Sequence, residues 1–109
     1  TKALVTGILD TGIDVVYLDL VTTPMYYYAQ IKLGIPAGMM VTASHNPKEY
    51  NGFKICALGR DTIYGEEVQN LRKFIEKGEF VTSEKLGTIE QKSLKDAYIE
   101  DIVSKIKQL

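Results

Sequence analysis

The stretch Ala37-Gly38-Met39-Met40-Val41-Thr42-Ala43-Ser44-His45-Asn46-Pro47-Lys48-Glu49-Tyr50-Asn51-Gly52-Phe53-Lys54-Ile55 decides how this chain folds. An apolar strand pattern stops at Val41 and a second strand starts at Phe53. Between them, Asn46-Pro47 and Asn51-Gly52 are turn signals: the Asn46 side chain is expected to tie down backbone, and glycine permits a tight re-entry. The interval is too short to hold a crossover helix as well as both turns. The two strands are therefore predicted to run antiparallel. The loop gathers a hydroxyl (Ser44), an imidazole (His45) and two amides, and the exit strand adds the amine of Lys54.

Upstream, residues 14–20 (Asp-Val-Val-Tyr-Leu-Asp-Leu) read as a buried strand rich in β-branched residues. Thr22-Thr23-Pro24 reads as a helix start, with a hydroxyl capping orphan amides and proline in the first turn. That helix is predicted to run from Met25 to Leu33 and stop at Gly34. Strand, helix, strand makes a βαβ unit, so residues 15–20 and 37–41 are expected to be parallel with a right-handed crossover. Before this unit, Leu4, Val5, Ile8 and Leu9 lie on one face of a first helix that Gly12 ends.

Downstream, the second strand of the hairpin is expected to reach Leu58, with a turn at Gly59-Arg60-Asp61. A helix follows from about Gly65 to Glu76, with Val68, Leu71 and Ile75 on one side and Gly78 after it. Residues 79–92 are polar and weakly patterned, which predicts a linker. Leu94, Tyr98, Ile102, Ile106 and Leu109 mark a last helix with a wide apolar stripe. The fold class expected is α/β: a layered sandwich of a mixed, mostly parallel sheet flanked by helices. The Ser44 loop is expected at the carboxyl edge of that sheet, where open α/β sheets place ligands.

Composition narrows the function. At 109 residues, 45% hydrophobic and 25% charged, the chain reads as one globular domain. A net charge of −1 without a Lys/Arg block implies no nucleic-acid partner. No apolar run is long enough for a membrane span. One cysteine, Cys56, rules out an internal disulfide, fits a reducing cytoplasm and is expected to be a packed thiol. One cysteine with one histidine does not make a Cys/His zinc site, and the acidic residues, Asp61 among them, lack metal-ligand spacing.

The run from Thr42 to Ile55 closely resembles the phosphoserine loop of the alpha-D-phosphohexomutases, which include phosphomannomutase, phosphoglucomutase and phosphoglucosamine mutase. The Thr23-Pro24 helix start is a weaker match. The resemblance implies an incomplete phosphohexomutase domain I over residues 1–92, and a connecting helix toward an absent domain II over 93–109. It implies a mutase that interconverts hexose 1-phosphate and hexose 6-phosphate through a bisphosphorylated sugar. Tyr50, before Asn51-Gly52, resembles members acting on glucose and mannose phosphates; phosphoglucosamine mutases more often have aspartate there.

By the same resemblance Ser44 is the phosphoryl carrier, and Lys54 removes the proton from the attacking sugar hydroxyl. His45, beside the serine, is given a supporting role in hydrogen bonding or proton transfer. Phosphorylation would add about −1.5 to −2 charge at Ser44. The family implies a Mg2+ ion bound to one oxygen of that phosphate, with its other ligands in the absent domain II. A hexose 1,6-bisphosphate is implied as activator and intermediate.

Two other readings use the same residues. A non-catalytic phosphate-binding or assembly module would keep the fold and the loop, and this is the behaviour expected of the isolated chain. A serine hydrolase has little support, because the Gly-x-Ser-x-Gly elbow is absent. The uncovered sheet edge and helix faces of a truncated domain predict self-association.

Overall fold

The structure is a computed structural model and describes residues 1–57 and 61–107. Its elements are α1 (Lys2–Asp10), β1 (Val15–Tyr17), α2 (Thr23–Leu33), β2 (Gly38–Val41), β3 (Phe53–Ala57), β4 (Asp61–Thr62), α3 (Glu66–Lys77), β5 (Ile89–Gln91) and α4 (Lys95–Ile106). The expected strand end at Leu58, the turn residues Gly59 and Arg60, and Leu109 of the last stripe lie outside the described residues. Asp61, expected in that turn, instead opens β4, which pairs with β3.

The class is α/β, with short strands flanked by helices. β2, β3 and β4 form an antiparallel sheet in sequence order, and the hairpin pairs Gly38 with Cys56, Met39 with Ile55, Met40 with Lys54 and Val41 with Phe53. The antiparallel return read from the loop is therefore present. Helix α2 starts after Thr22, holds Pro24 in its first turn and closes at Gly34 in the left-handed conformation. Thr22 caps it by backbone geometry alone, since its side chain makes no capping hydrogen bond.

Two expectations about the sheet need correction. The strands at 15–20 and 37–41 are not hydrogen-bonded neighbours: β1 pairs in parallel with β5, in a separate two-stranded sheet. Both β1 and β2 instead border a cavity of about 800 Å3, together with α1 and α2 side chains such as Leu4, Ile8 and Tyr26. The βαβ unit spans this cleft rather than closing it. β1 is also shorter than expected, because Asp19 turns the chain at φ 60° and leaves Leu20 97% exposed.

The second correction concerns residues 79–92, which are not a free linker. The amide of Ser83 donates to the Asp10 carbonyl and that of Gly87 to the Leu9 carbonyl. The Val15 amide donates to Thr88, the Lys92 amide to Tyr17, and β5 continues this ladder. A side chain at Gly87 would overlap the Ile13 carbonyl, so glycine is what lets the backbones meet.

The core is small and centred on α2. Among the described residues, only Tyr26, Ala29 and Gln30 of α2 and Cys56 of β3 are buried. Gly38 leaves room for the Tyr26 ring, which would sit 2.9 Å from a Cβ at that position. On the other side of α2, the Tyr28 hydroxyl donates to the Ala97 carbonyl at 3.1 Å and its ring meets Tyr98 edge-on, docking α4. Tyr26 and Tyr28, two residues apart, thus serve different layers, while the Tyr27 ring lies 5.0 Å from that of Tyr26. The radius of gyration is 15.8 Å, against about 13 Å for a compact domain of this length.

Candidate active site

The loop after β2 is built around Ser44. The Thr42 amide donates to the Gly52 carbonyl at 2.9 Å, carrying the hairpin ladder one step beyond β2. The Asn46 amide then donates to the Ala43 carbonyl at 3.0 Å, closing a turn with Ser44 and His45 at its centre. Ser44 takes φ 55° there, a left-handed conformation that costs a non-glycine residue about 1 kcal/mol or more. The hydroxyl of Thr42 accepts the Ser44 amide at 3.0 Å. That side chain, rather than the amide of Asn46, supplies the local side-chain tie to the turn.

The outcome is a serine at the tip of a short, hydrogen-bonded loop at the sheet edge, with its side chain exposed to solvent. His45 follows it and is exposed as well. A second turn, closed by the Tyr50 amide on the Pro47 carbonyl at 3.0 Å, brings the chain back to β3.

Lys54 lies opposite Met40 in the hairpin, four residues before Ser44 in β2 and its exit. Its side chain is half-buried and its Nζ donates to Thr23 Oγ1 at 3.4 Å. Thr23 in turn reaches the Met40 sulfur at 3.6 Å. The start of α2, the end of β2 and the beginning of β3 therefore converge on the lysine amine. Phe53, Lys54 and Ile55 also border a second cavity of about 400 Å3, lined further by Val68, Leu71 and Ile75 of α3. Sequence reasoning took Thr23-Pro24 only as a helix start and missed this contact. The signal was a hydroxyl at the first helical residue, but its partner is 31 residues away.

Other candidates fall elsewhere. Cys56 is 1% exposed and its thiol lies 3.6 Å from Thr62 Oγ1, so it packs inside the hairpin. Burial pushes the Tyr26 phenol up. Asp14, far from the loop, has its carboxyl held below the usual range by the backbone amide and then the hydroxyl of Thr88, at 2.7 and 2.8 Å. Arg60 is outside the described residues. Among the described residues no group of three or more His, Cys, Asp or Glu could hold a metal ion. No helix among them is long and apolar enough to cross a membrane.

Residues 1–82 match the family described as phosphoglucomutase/phosphomannomutase, alpha/beta/alpha domain I. A phosphoglucomutase of Neisseria gonorrhoeae is 44% identical over 93% of this chain and 22% of its own length. A phosphomannomutase/phosphoglucomutase of Pseudomonas aeruginosa is 40% identical over 93% of the chain and 21% of its own length. A crystal structure of a phosphoglucomutase/phosphomannomutase family protein from Burkholderia thailandensis superposes with a TM-score of 0.83 at 37% identity, covering 94% of this chain and 24% of that one. The chain spans about a fifth of the length of these relatives. By sequence and by fold, the chain belongs to the phosphoglucomutase/phosphomannomutase family.

Proposed function

We propose that the protein carrying this chain interconverts hexose 1-phosphate and hexose 6-phosphate, with glucose and mannose phosphates as substrates and Ser44 as the phosphoryl carrier. The observation that supports it most is the Ser44 turn: an exposed hydroxyl held in a strained conformation at a sheet edge. Strain of this kind, over-determined by its neighbours, is a feature of functional loops.

In the proposed cycle Ser44 starts as the phosphoserine. A sugar hydroxyl attacks phosphorus, the P–Oγ bond breaks, and the electron pair goes to Oγ, which takes up a proton. The attacking hydroxyl gives its own proton to the Lys54 amine. The sugar bisphosphate turns over in the site, and its other phosphoryl returns to Ser44 Oγ, which releases to solvent the proton it had taken from there, while Lys54 gives its proton back to the oxygen left behind. His45, beside the carrier, hydrogen-bonds the phosphate or relays a proton. A hexose 1,6-bisphosphate enters the same cycle as intermediate and activator.

Phosphoryl transfer relies on positioning and charge stabilisation, and a Mg2+ ion supplies the latter when bound. From this chain it would take one oxygen of the Ser44 phosphate. Its remaining ligands would come from a further domain, as the family resemblance implies. The single, buried Cys56 suits a reducing, cytoplasmic setting. The 109-residue chain on its own is expected to be inert and, through its uncovered apolar faces, to self-associate.

The test is turnover of glucose 1-phosphate and mannose 1-phosphate by the full-length protein and its Ser44→Ala variant. The reading expects wild-type conversion to the 6-phosphates and a loss of at least about 10³-fold in the variant. Equal turnover by the two proteins would overturn it.

A further inference from the structure

We propose that Thr23 is a positioning residue for this reaction: its hydroxyl holds the Lys54 amine in place while leaving the nitrogen lone pair free to meet the sugar hydroxyl. The inference rests on the reading of Lys54 as proton acceptor and adds a residue outside the Ser44 loop.

A lysine amine rides on a flexible four-carbon stem, so something must hold it if it is to act from one place. Among the described residues the hydrogen bond to Thr23 Oγ1 is the one that Lys54 Nζ makes. The ion pairs found there, Arg72 with Glu76, Lys92 with Glu90 and Lys105 with Asp101, do not involve Lys54. Thr23 is well suited to be the fixed partner. It is the first residue of α2, it is β-branched and so restricted at χ1, and Pro24 follows it. The Met40 sulfur lies 3.6 Å from its hydroxyl oxygen, and α2 is seated on the hairpin by the Tyr26 ring over Gly38.

The chemistry of the partner matters as much as its place. A carboxylate at this position would pair with the ammonium and oppose loss of its proton. A hydroxyl accepts an N–H from the ammonium and from the neutral amine alike, so the contact survives the proton transfer. The 3.4 Å separation is long for a hydrogen bond, as catalytic contacts often are before substrate binds.

The experiment is a double-mutant cycle in the full-length protein, read as kcat and KM on glucose 1-phosphate. Thr23→Val removes the acceptor at similar shape and should lower kcat about tenfold with KM changed less than about threefold. Thr23→Ser keeps the acceptor and should restore most of kcat. In a Lys54→Ala background, Thr23→Val should cost nothing further, because it acts through the amine. If Thr23→Val melts below the assay temperature, Thr23→Ala takes its place in the cycle. Unimpaired Thr23→Val beside a crippled Lys54→Ala, or losses that multiply in the double variant, would overturn the role of Thr23 alone. Wild-type turnover by Lys54→Ala would overturn the base assignment and this inference with it.

Discussion

The Ser44 amide donates to the Thr42 hydroxyl at 3.0 Å while Ser44 itself holds φ at 55°. One residue of the loop thus restrains another in a conformation that suits glycine better than serine. Removing the serine side chain tests this without any chemistry. Ser44→Gly should be more stable than Ser44→Ala by about 1 kcal/mol in urea unfolding, because alanine keeps the Cβ that makes left-handed backbone costly. Thr42→Val should lose about 0.5–1.5 kcal/mol by leaving the Ser44 amide without its partner. Equal stability of the glycine and alanine variants would show that the turn is unstrained.

Asp14 gives a pH-dependent test of how β5 is held. The Thr88 amide and hydroxyl both favour the charged carboxylate, so its folded pKa lies below its unfolded one. The stabilisation is therefore fully present above the unfolded value, about 3.9, and fades as pH falls through the lower folded value. Asp14→Asn should lower Tm at pH 7, with a gap to wild type that narrows below about pH 4. A gap that stays constant from neutral to acid pH would contradict the assignment.

Two glycines mark where backbone or ring comes too close for a side chain. Gly38→Val would drive a branched side chain into the Tyr26 ring, which already lies 2.9 Å from where its Cβ would be. Gly87→Val would meet the Ile13 carbonyl. Each should cost about 1–3 kcal/mol, as overpacking does. In the Gly87 variant, hydrogen exchange should speed up at the Val15 and Lys92 amides, which bridge β1 and the β5 segment. Unchanged protection there would mean that residues 79–92 are held by something other than this close approach.

The isolated chain should self-associate. Phe74 and Ile75 of α3 and Ile106 of α4 are all more than half exposed, and among the described residues β1 and β2 each pair on one side only. Uncovered strands and apolar helix faces favour association between copies. Sedimentation at rising concentration should show a growing average mass. A single monomeric species across the range would defeat the expectation.

The local parts of this fold were legible in the sequence. The helix at 23–33 is announced by Thr22-Thr23-Pro24 and closed by Gly34, and the hairpin follows from turn residues in an interval too short for a helix. The Ser44 loop was legible for the same reason, since its turns depend on neighbours within a few residues. What could not be read depends on distant partners. The strand at Ile89–Gln91 is short and exposed, and Asp14 holds Thr88, the residue just before it, across 74 positions. The separation of β1 from β2 depends on what lies between two strand edges, which periodicity does not encode. The contact between Lys54 and Thr23 joins a strand to a helix start, and neither residue alone announces the other.

The most direct test of the central claim is the intact mass of the full-length protein after incubation with glucose 1,6-bisphosphate and Mg2+. The account predicts a single added phosphoryl group, mapping to Ser44 and absent from Ser44→Ala. A wild type that gains no phosphoryl group, or a Ser44→Ala variant that gains it equally, would contradict the claim.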